Sequence, residues 1–205
     1  MIEAISKRPL WNLLAMAGRM EVEHDDQAEA DSAAAVFDDP NRFLEIYHAY
    51  YNRILNYHYR RAGNHDIALD LTSRTFLAAF EALRQRKVRN LQLRPWLYRL
   101  ATNAHLDHCR REQRWTVRIP IVGRYFDSRP ARLPDAALMK QSESDAIRAA
   151  MFRLDERYRS PLVLRYYEEL SYADIGKVLG MREVSARSRV SRALKMLQSL
   201  LEESS

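Results

Sequence analysis

The segment 161–197 constrains the fold of this chain most, because its apolar residues follow two helical periods that a glycine separates. Ser171 precedes the first period, and a serine oxygen there can accept hydrogen bonds from the free N–H groups of a helix's first turn. Gly180 ends that period, where a helix stop needs a positive φ that glycine adopts without steric strain. A second helix is predicted from about Glu183. The pattern therefore predicts a helix-turn-helix.

The second predicted helix has one apolar face and one cationic face. The side chains expected to pack inward are Val190, Ala193, Leu194 and Leu197. The side chains left for solvent or for DNA are Arg187, Arg189, Arg192 and Lys195. Ser188 lies among these cations, and its small side chain keeps the helix surface slim. A slim cationic helix suits the major groove of DNA, and the alternative is an ordinary helix hairpin with a solvated face.

Composition favours an all-α chain in a reducing compartment. The 205 residues include only five glycines and seven prolines, which argues against a sheet with many turns. Cys109 is the single cysteine, so an internal disulfide is excluded and a cytoplasmic location is expected. The apolar part of the stretch 1–20 is only about ten residues long, which is too short to span a bilayer. We therefore expect no membrane insertion.

The net charge of +6 is unevenly distributed along the chain. Residues 1–40 carry three basic and nine acidic side chains, and we expect this segment to be a mobile acidic extension. Residues 41–114 carry fourteen basic and six acidic side chains. A basic body indicates a polyanionic partner. The acidic extension either masks that body or serves only to keep the chain in solution.

Helical periodicity organises the remaining residues into two blocks. Three helices are predicted within 41–114, and Pro95 stands near the start of the third. Residues 115–140 contain Pro120, Gly123 and Pro130 and lack clear periodicity, so they predict a linker that is long for a loop inside one domain. A final helical block occupies 141–205. The expected architecture is two small helical domains joined by a flexible linker.

A basic stretch precedes the predicted linker. From Arg84 to Arg114 there are nine basic and only two acidic side chains. Such cations can neutralise phosphates, and aromatic rings among them can stack on unpaired bases. Trp96 and Tyr98 are the rings in this stretch. Trp96 is explained at least as well as a core residue, whereas Tyr98, and Trp115 directly after the stretch, are less committed to the core.

Two strings carry a resemblance to a known family. The first is WLYRLATNAHLDHCRR, within 41–114, and the second is LRYYEELSYADIGKVLG, within 141–205. The blocks that contain them resemble the second and fourth conserved domains of bacterial sigma factors, of the small extracytoplasmic-function type. The resemblance covers about 130 residues, and its domain order matches the family, with the linker between. It implies domain 2 at 41–114 and domain 4 at 141–205.

The resemblance implies a function without catalysis by this chain. A sigma factor binds core RNA polymerase, recognises promoter DNA and supports strand opening, while the polymerase performs the chemistry. The implied partners are core polymerase, promoter DNA and an anti-sigma factor, and no cofactor is implied. A rival hypothesis is a stand-alone helix-turn-helix regulator that binds duplex DNA without polymerase. A dimerisation helix or a ligand pocket would favour that rival, and the sequence indicates neither.

The resemblance also implies site residues. Asn103 matches an asparagine that offers donor and acceptor together to a base of the non-template strand. The loop from Gln85 to Arg94 matches the segment that captures a flipped base. For the minus-ten element, the implied contacts besides Asn103 are Arg94, Arg99, Arg110 and Arg111. For the polymerase clamp they are Asp70, Leu71, Thr75 and Phe76. For the minus-thirty-five element they are Arg187, Ser188, Arg189, Arg192 and Lys195.

The chain also departs from the family pattern. Arg74 stands where a glutamate is usual, which puts one polymerase contact in question, and Arg182 replaces the usual serine before the second helix of the motif. A metal site at His105 and His108, which share a helix face, is a weaker alternative. No fourth ligand is evident near them and Cys109 points about 100° away from His108. We therefore expect no metal.

Overall fold

The computed structural model describes residues 40–85, 92–118 and 146–203. Within these ranges all regular secondary structure is helical, which confirms the all-α prediction. The chain divides into two compact units, one containing 40–118 and the other most of 146–203. Predictions that concern the acidic extension, most of the loop between Gln85 and Arg94, and most of the linker lie outside the described residues.

The described part of the first unit is a bundle of three helices. These are α1 (Pro40–Ala62), α2 (His65–Arg84) and α3 (Leu93–Arg118), and each packs against the other two. The turn between α1 and α2 uses Gly63 at φ 69°, a left-handed conformation that glycine adopts without strain. Asn64 then caps α2, because its side-chain oxygen accepts a hydrogen bond of 3.0 Å from the backbone N–H of Ile67.

The core of this bundle is aromatic as well as aliphatic. Ile54, Leu71 and Leu97, one from each helix, are fully buried. Tyr57 of α1 and Tyr98 of α3 are buried with them, and their rings meet edge to face with centroids 5.3 Å apart. The expectation that Tyr98 is less committed to the core than Trp96 is therefore wrong. The Tyr98 ring lies on the inward face of the helix, in contact with α1.

Helix α3 is longer than the sequence pattern indicates. It continues to Arg118, so the first four residues of the predicted linker are helical. No glycine or proline interrupts residues 96–119, and the first breaker is Pro120. Proline disfavours the helical conformation of the residue before it, which accounts for a helix end close to this point rather than at Arg114.

The described residues of the second unit form four helices. They are α4, described over 146–153, α5 (Glu156–Tyr166), α6 (Tyr172–Leu179) and α7 (Glu183–Glu203). Asp155 caps α5 by accepting a hydrogen bond of 2.9 Å from the N–H of Arg157. The core is formed by buried apolar side chains from all four helices, among them Leu164 of α5, Ile175 of α6 and Leu197 of α7. Helices α6 and α7 form the predicted helix-turn-helix.

Candidate nucleic-acid interface

An exposed polar stripe runs along α3. Arg99, Asn103 and Arg110 are all exposed and recur at the helical period, so they share one face. Arg110 is held along this face by Asp107, whose Oδ1 lies 2.9 Å from the arginine Nη1. Arg111 is also exposed at the edge of the stripe, and its Nε donates to the carbonyl oxygen of Asp107 at 3.3 Å. The amide of Asn103 thus lies on a surface with a cation on either side.

Trp96 belongs to the same stripe, three residues before Arg99. Its side chain is only half-buried. The sequence alone explained Trp96 at least as well as a core residue. Arg94, two residues earlier, is half-buried as well. An aromatic face next to cations and an amide can stack on an unpaired base while the cations contact phosphates. Of the two rings Trp96 and Tyr98, only that of Trp96 is partly exposed.

A buried polar network lies directly beneath Asn103. The neighbouring residue, Thr102, donates its hydroxyl to the carbonyl of Tyr98 at 2.7 Å, and its Oγ1 lies 2.8 Å from the hydroxyl of Tyr57. Arg61, only 2 % exposed, donates from Nη1 to the same tyrosine oxygen at 2.7 Å. These bonds connect α1 to α3 across the core. Because Thr102 is tied inward, the rotation of α3 is set and Asn103 points outward.

A histidine extends this network towards α2. The Nε2 atom of His58 lies 3.0 Å from Oγ1 of Thr75, and its ring stacks on that of His105 with centroids 6.4 Å apart. Burial lowers the pKa of His58 to about 2, with smaller contributions from the positive charge of Arg61 and from His105. His58 is therefore neutral at physiological pH, and all three helices of the bundle share one polar core.

The alternative of a metal site at His105 and His108 finds no support in the geometry. His105 is buried against His58, and His108 is half-buried on the same helix. In the part of the chain that the structure describes, no three side chains among His, Cys, Asp and Glu come together to hold an ion.

The residues predicted for the polymerase-binding face of α2 do not all lie on the surface. Asp70 is exposed, but Leu71, Thr75 and Phe76 lie in the core. Thr75 hydrogen-bonds to His58, and the ring of Phe76 lies 4.8 Å from that of Tyr47. The reason is helical phase, because residues adjacent in a motif point about 100° apart on a helix. The side chains that α2 exposes on its outer face are Asp66, Asp70, Ser73, Arg74, Leu77, Phe80, Glu81 and Arg84.

Two features characterise this outer face. Nε of Arg74 lies 2.8 Å from Oδ2 of Asp70, so the cation that replaces the usual glutamate is paired on its own helix. Leu77 is 58 % exposed, and Phe80 is 42 % exposed with its ring 5.2 Å from that of Phe43. Exposed apolar side chains beside charged ones are typical of protein-binding surfaces.

The caps of the helix-turn-helix are those predicted. Ser171 Oγ accepts a hydrogen bond from the N–H of Asp174 at 3.1 Å and donates to its carboxylate at 2.7 Å. Gly180 has φ 65° and ψ 39°, and the turn closes where the N–H of Met181 donates to the carbonyl of Gly176 at 2.9 Å. Gly176 itself was missed. A Cβ there would lie 2.7 Å from the carbonyl oxygen of Met181, so the turn requires a residue without a side chain.

Helix α7 presents the cations that the sequence assigned to DNA. Arg187, Ser188, Arg192 and Lys195 are exposed, whereas Arg189 is half-buried at the edge of the packed face. That packed face includes Ala186, Val190, Ala193 and Leu197, all buried, while Leu194 is only half-buried. The arrangement gives the helix one apolar inner face and one cationic outer face.

Arg187 is oriented by its neighbours. Its Nη2 lies 3.2 Å from Oε1 of Glu183, and its Cζ lies 4.9 Å from the centre of the Tyr172 ring. The Cζ of Arg165 also lies 4.9 Å from the centre of that ring. Tyr172, at the start of α6, therefore contacts a guanidinium from α5 and one from α7. This contact limits the directions in which Arg187 can extend.

Comparisons with known proteins agree with this fold. The family described as "Sigma-70 region 2" matches residues 46–115, and "Sigma-70, region 4" matches 144–197. The chain belongs to the sigma-70 family of RNA polymerase sigma factors, in its extracytoplasmic-function group. It is thus an initiation factor that binds core polymerase, recognises promoter DNA and supports strand opening.

Individual relatives support the assignment. RNA polymerase sigma factor YlaC of Bacillus subtilis is 28 % identical over 149 residues, which cover 73 % of this chain and 86 % of that protein. ECF RNA polymerase sigma factor SigE of Mycolicibacterium smegmatis is 33 % identical over 77 % of this chain and 60 % of its own length. ECF RNA polymerase sigma factor SigW of Bacillus subtilis is 26 % identical over 80 % of this chain and 90 % of its own length.

Solved structures show the same fold. The sigma factor RpoE from Bartonella quintana, crystallised with the anti-sigma factor NepR, matches with a TM-score of 0.65 at 22 % identity, over 78 % of this chain and 96 % of that one. CnrH, solved in complex with the cytosolic domain of CnrY, matches with a TM-score of 0.61 at 23 % identity, over 85 % of this chain and 96 % of that one.

None of these comparisons supports the rival hypothesis of a stand-alone regulator. Among the described helices, none combines the length and apolarity needed to cross a membrane.

Proposed function

We propose that the stripe on α3 opens the minus-ten element of the promoter. In this proposal Asn103 contacts a base of the non-template strand, Trp96 offers a stacking surface, and Arg94, Arg99, Arg110 and Arg111 contact phosphates. The observation that carries the proposal is the exposed amide of Asn103 on a cationic face, held outward by the buried bonds of Thr102. An amide can donate to and accept from one base edge at once, which suits capture of an unpaired base.

We propose that α7 reads the minus-thirty-five element in the major groove. The contact surface consists of Arg187, Ser188, Arg192 and Lys195, and Arg189 contributes from its edge.

The residue boundaries that we propose are 41–114 for domain 2, 115–140 for the linker and 141–205 for domain 4, after an acidic extension at 1–40. Because α3 continues to Arg118, the first turn of the proposed linker belongs structurally to the helix before it.

We propose that the outer face of α2 contacts the clamp of core polymerase. The contact is made by the exposed side chains Asp70, Ser73, Arg74 and Leu77. It is supported from the core by Leu71, Thr75 and Phe76. Leu77→Glu should abolish assembly with core polymerase because it places a charge in an apolar contact. Glu81→Gln, on the same exposed helix, is the matched control and should assemble. Gel filtration of the two variants with core polymerase separates a specific contact from a general effect of surface charge.

We infer further that the chain catalyses no reaction itself, acts in the cytoplasm and is held by an anti-sigma factor. Its action on polymerase supports the cytoplasmic location, and the similar fold of RpoE, which was crystallised with the anti-sigma factor NepR, supports the partner. Affinity purification from the native host under several growth conditions tests the partner. Recovery of polymerase subunits alone under every condition would contradict it.

The overall proposal is tested by run-off transcription. Core polymerase is incubated with genomic fragments in the presence and absence of the purified chain, and the fragments are also tested for binding by the chain alone. Discrete transcripts that require the chain are expected, with specific binding only when polymerase is present. Specific binding by the chain alone, with no transcript from any fragment, would instead favour the stand-alone regulator.

A further inference from the structure

The outermost line of α7 contains an apolar residue that the packing does not use. Residues 184, 188, 191 and 195 follow one another at spacings of four, three and four, so their side chains project along one line of the helix. All four are exposed, and they are Val184, Ser188, Ser191 and Lys195. This line lies opposite the packed face that contains Val190 and Leu197.

Val184 is the anomaly in this line. It is 77 % exposed, more than any other large hydrophobic side chain in the described residues. Valine is also one of the weaker helix formers among ordinary residues. Neither packing nor helix propensity therefore explains an apolar, β-branched side chain in the first turn of this helix.

The surroundings of Val184 indicate what it contacts. From Val184 to Leu201 the helix carries four basic side chains and no acidic one. Arg187 and Arg192 are exposed on the two sides of the line, where they can reach the phosphates that border a groove. The residues on the line itself are small apart from Lys195, so the helix axis can approach the bases closely.

The first turn of a recognition helix is the part that lies deepest among the base edges in a helix-turn-helix complex. The apolar group that the major groove displays there is the C5 methyl of thymine. We propose that Val184 is a specificity-determining residue that packs against the methyl group of one thymine in the minus-thirty-five element. This inference rests on the proposed role of α7 in reading that element.

Two sets of side chains on α7 then have different roles. Val184 and the hydroxyls of Ser188 and Ser191 read base edges, while Arg187 and Arg192 contact phosphates. Thymine differs from uracil only by the methyl group, so replacing thymine by deoxyuridine removes the proposed contact and leaves the hydrogen-bonding edge unchanged. A test of this kind acts on the DNA and requires no assumption about how a protein variant folds.

The experiment uses the holoenzyme, made from core polymerase and the full chain. Duplexes bound by this holoenzyme are first selected from a random library, and their upstream element is then scanned with single thymine-to-deoxyuridine replacements. For the wild-type holoenzyme we expect one replacement to weaken binding about fourfold, the effect of losing one buried methyl group. Val184→Ala should bind thymine and deoxyuridine equally at that position.

Three further variants make the result specific. Val184→Thr keeps one methyl group on Cβ and should retain most of the discrimination. Met196→Ala removes another exposed apolar side chain of α7 and should leave the scan unchanged. Arg192→Ala should weaken binding to both forms of the element by the same factor, because a phosphate contact does not sense the base.

Several outcomes would overturn the inference while the proposed function stands. The first is a wild-type scan in which no thymine-to-deoxyuridine replacement weakens binding. The second is a Val184→Ala scan identical to that of the wild type. The third is a Val184→Ala holoenzyme that loses the same affinity for every duplex, whatever its sequence. The last would mean that Val184 contacts polymerase or supports the helix. If the holoenzyme selects no upstream element at all, the proposed role of α7 fails and the inference fails with it.

Discussion

The hydroxyl of Tyr57 lies 2.8 Å from Oγ1 of Thr102, and this buried contact fixes the helix that presents Asn103. It joins α1 to α3 at a point where Arg61 also donates to the tyrosine oxygen at 2.7 Å. The proposed DNA-opening surface therefore depends on polar groups that never meet the DNA. Its geometry is set before promoter binding, so little ordering of α3 has to accompany base capture.

Removing the Tyr57 hydroxyl should destabilise the first unit. Tyr57→Phe leaves the buried guanidinium of Arg61 without one acceptor, which costs about 1–3 kcal/mol of the free energy of unfolding. Tyr51→Phe is the control, since the Tyr51 ring is half-buried and makes aromatic contacts that the substitution keeps. Urea denaturation of the full chain, followed by circular dichroism, measures both. Equal stability of the two variants would show that the network does not hold α1 to α3.

The low pKa of His58 predicts acid sensitivity with a defined sign. The histidine stays neutral in the folded chain down to a pKa of about 2, whereas the unfolded chain binds a proton below about pH 6.5. The unfolded state then binds more protons, so stability falls as pH drops below 6.5, by up to about 1.4 kcal/mol per pH unit from this group.

The variant His58→Gln should show a shallower loss of stability between pH 6.5 and 5 than the wild type. The exposed His48→Gln should follow the wild type. Urea denaturation at several pH values gives the slopes directly. A slope for His58→Gln that matches the wild type would mean that His58 is protonated in the folded chain, contrary to its buried setting.

The two glycines of the helix-turn-helix should respond differently to substitution. Gly176→Ala places a Cβ 2.7 Å from the carbonyl oxygen of Met181 and 3.4 Å from the N of Glu183, which are backbone atoms that cannot move aside cheaply. Gly180→Asn meets nothing within 4 Å at its Cβ and adopts the left-handed conformation that asparagine tolerates. We expect Gly176→Ala to lower the thermal midpoint of the second unit clearly and Gly180→Asn to lower it little. The reverse order would show that backbone conformation, and not close approach, limits this turn.

Arg187 and Arg192 are each expected to contribute to promoter binding. Arg192→Ala should weaken binding and reduce the slope of log affinity against log salt by about one, as expected for one lost phosphate contact. Tyr172→Leu should reproduce part of the Arg187→Ala defect, because the Tyr172 ring orients the Arg187 guanidinium. Filter binding of the holoenzyme over a range of salt concentrations measures these effects. Normal binding by the Arg187→Ala, Arg192→Ala double variant, with normal folding, would exclude α7 as the reader.

The sequence predicted local features well, because caps and helical periods depend on residues close together in the chain. Ser171 and Gly180 cap α6 as expected, and the cationic face of α7 is where its periodicity placed it. The requirement for Gly176 could not be read in this way. It arises from the return of the chain at Met181, which only the folded turn reveals.

Assignments that depended on helix orientation were less secure. A family string such as Asp70-Leu71 joins one surface residue to one core residue, so matching the string did not separate contact residues from supporting ones. The same limit affected α3, where Tyr98 proved to be the core residue and Trp96 the partly exposed one. Both assignments depend on how each helix is rotated about its axis, which is set by the tertiary contacts of Thr75 and Thr102.

The most direct test of the account is strand opening by the variant Asn103→Ala. Holoenzymes with the wild-type chain, Asn103→Ala or the control Asn52→Ala, an exposed asparagine of α1, are assembled on a cognate promoter. Permanganate then reports unpaired thymines in the minus-ten region. The account predicts that Asn103→Ala assembles with polymerase and binds the closed promoter normally, but gives strongly reduced permanganate reactivity, while Asn52→Ala matches the wild type. Wild-type reactivity of Asn103→Ala would contradict the assignment of the α3 stripe as the surface that opens the promoter.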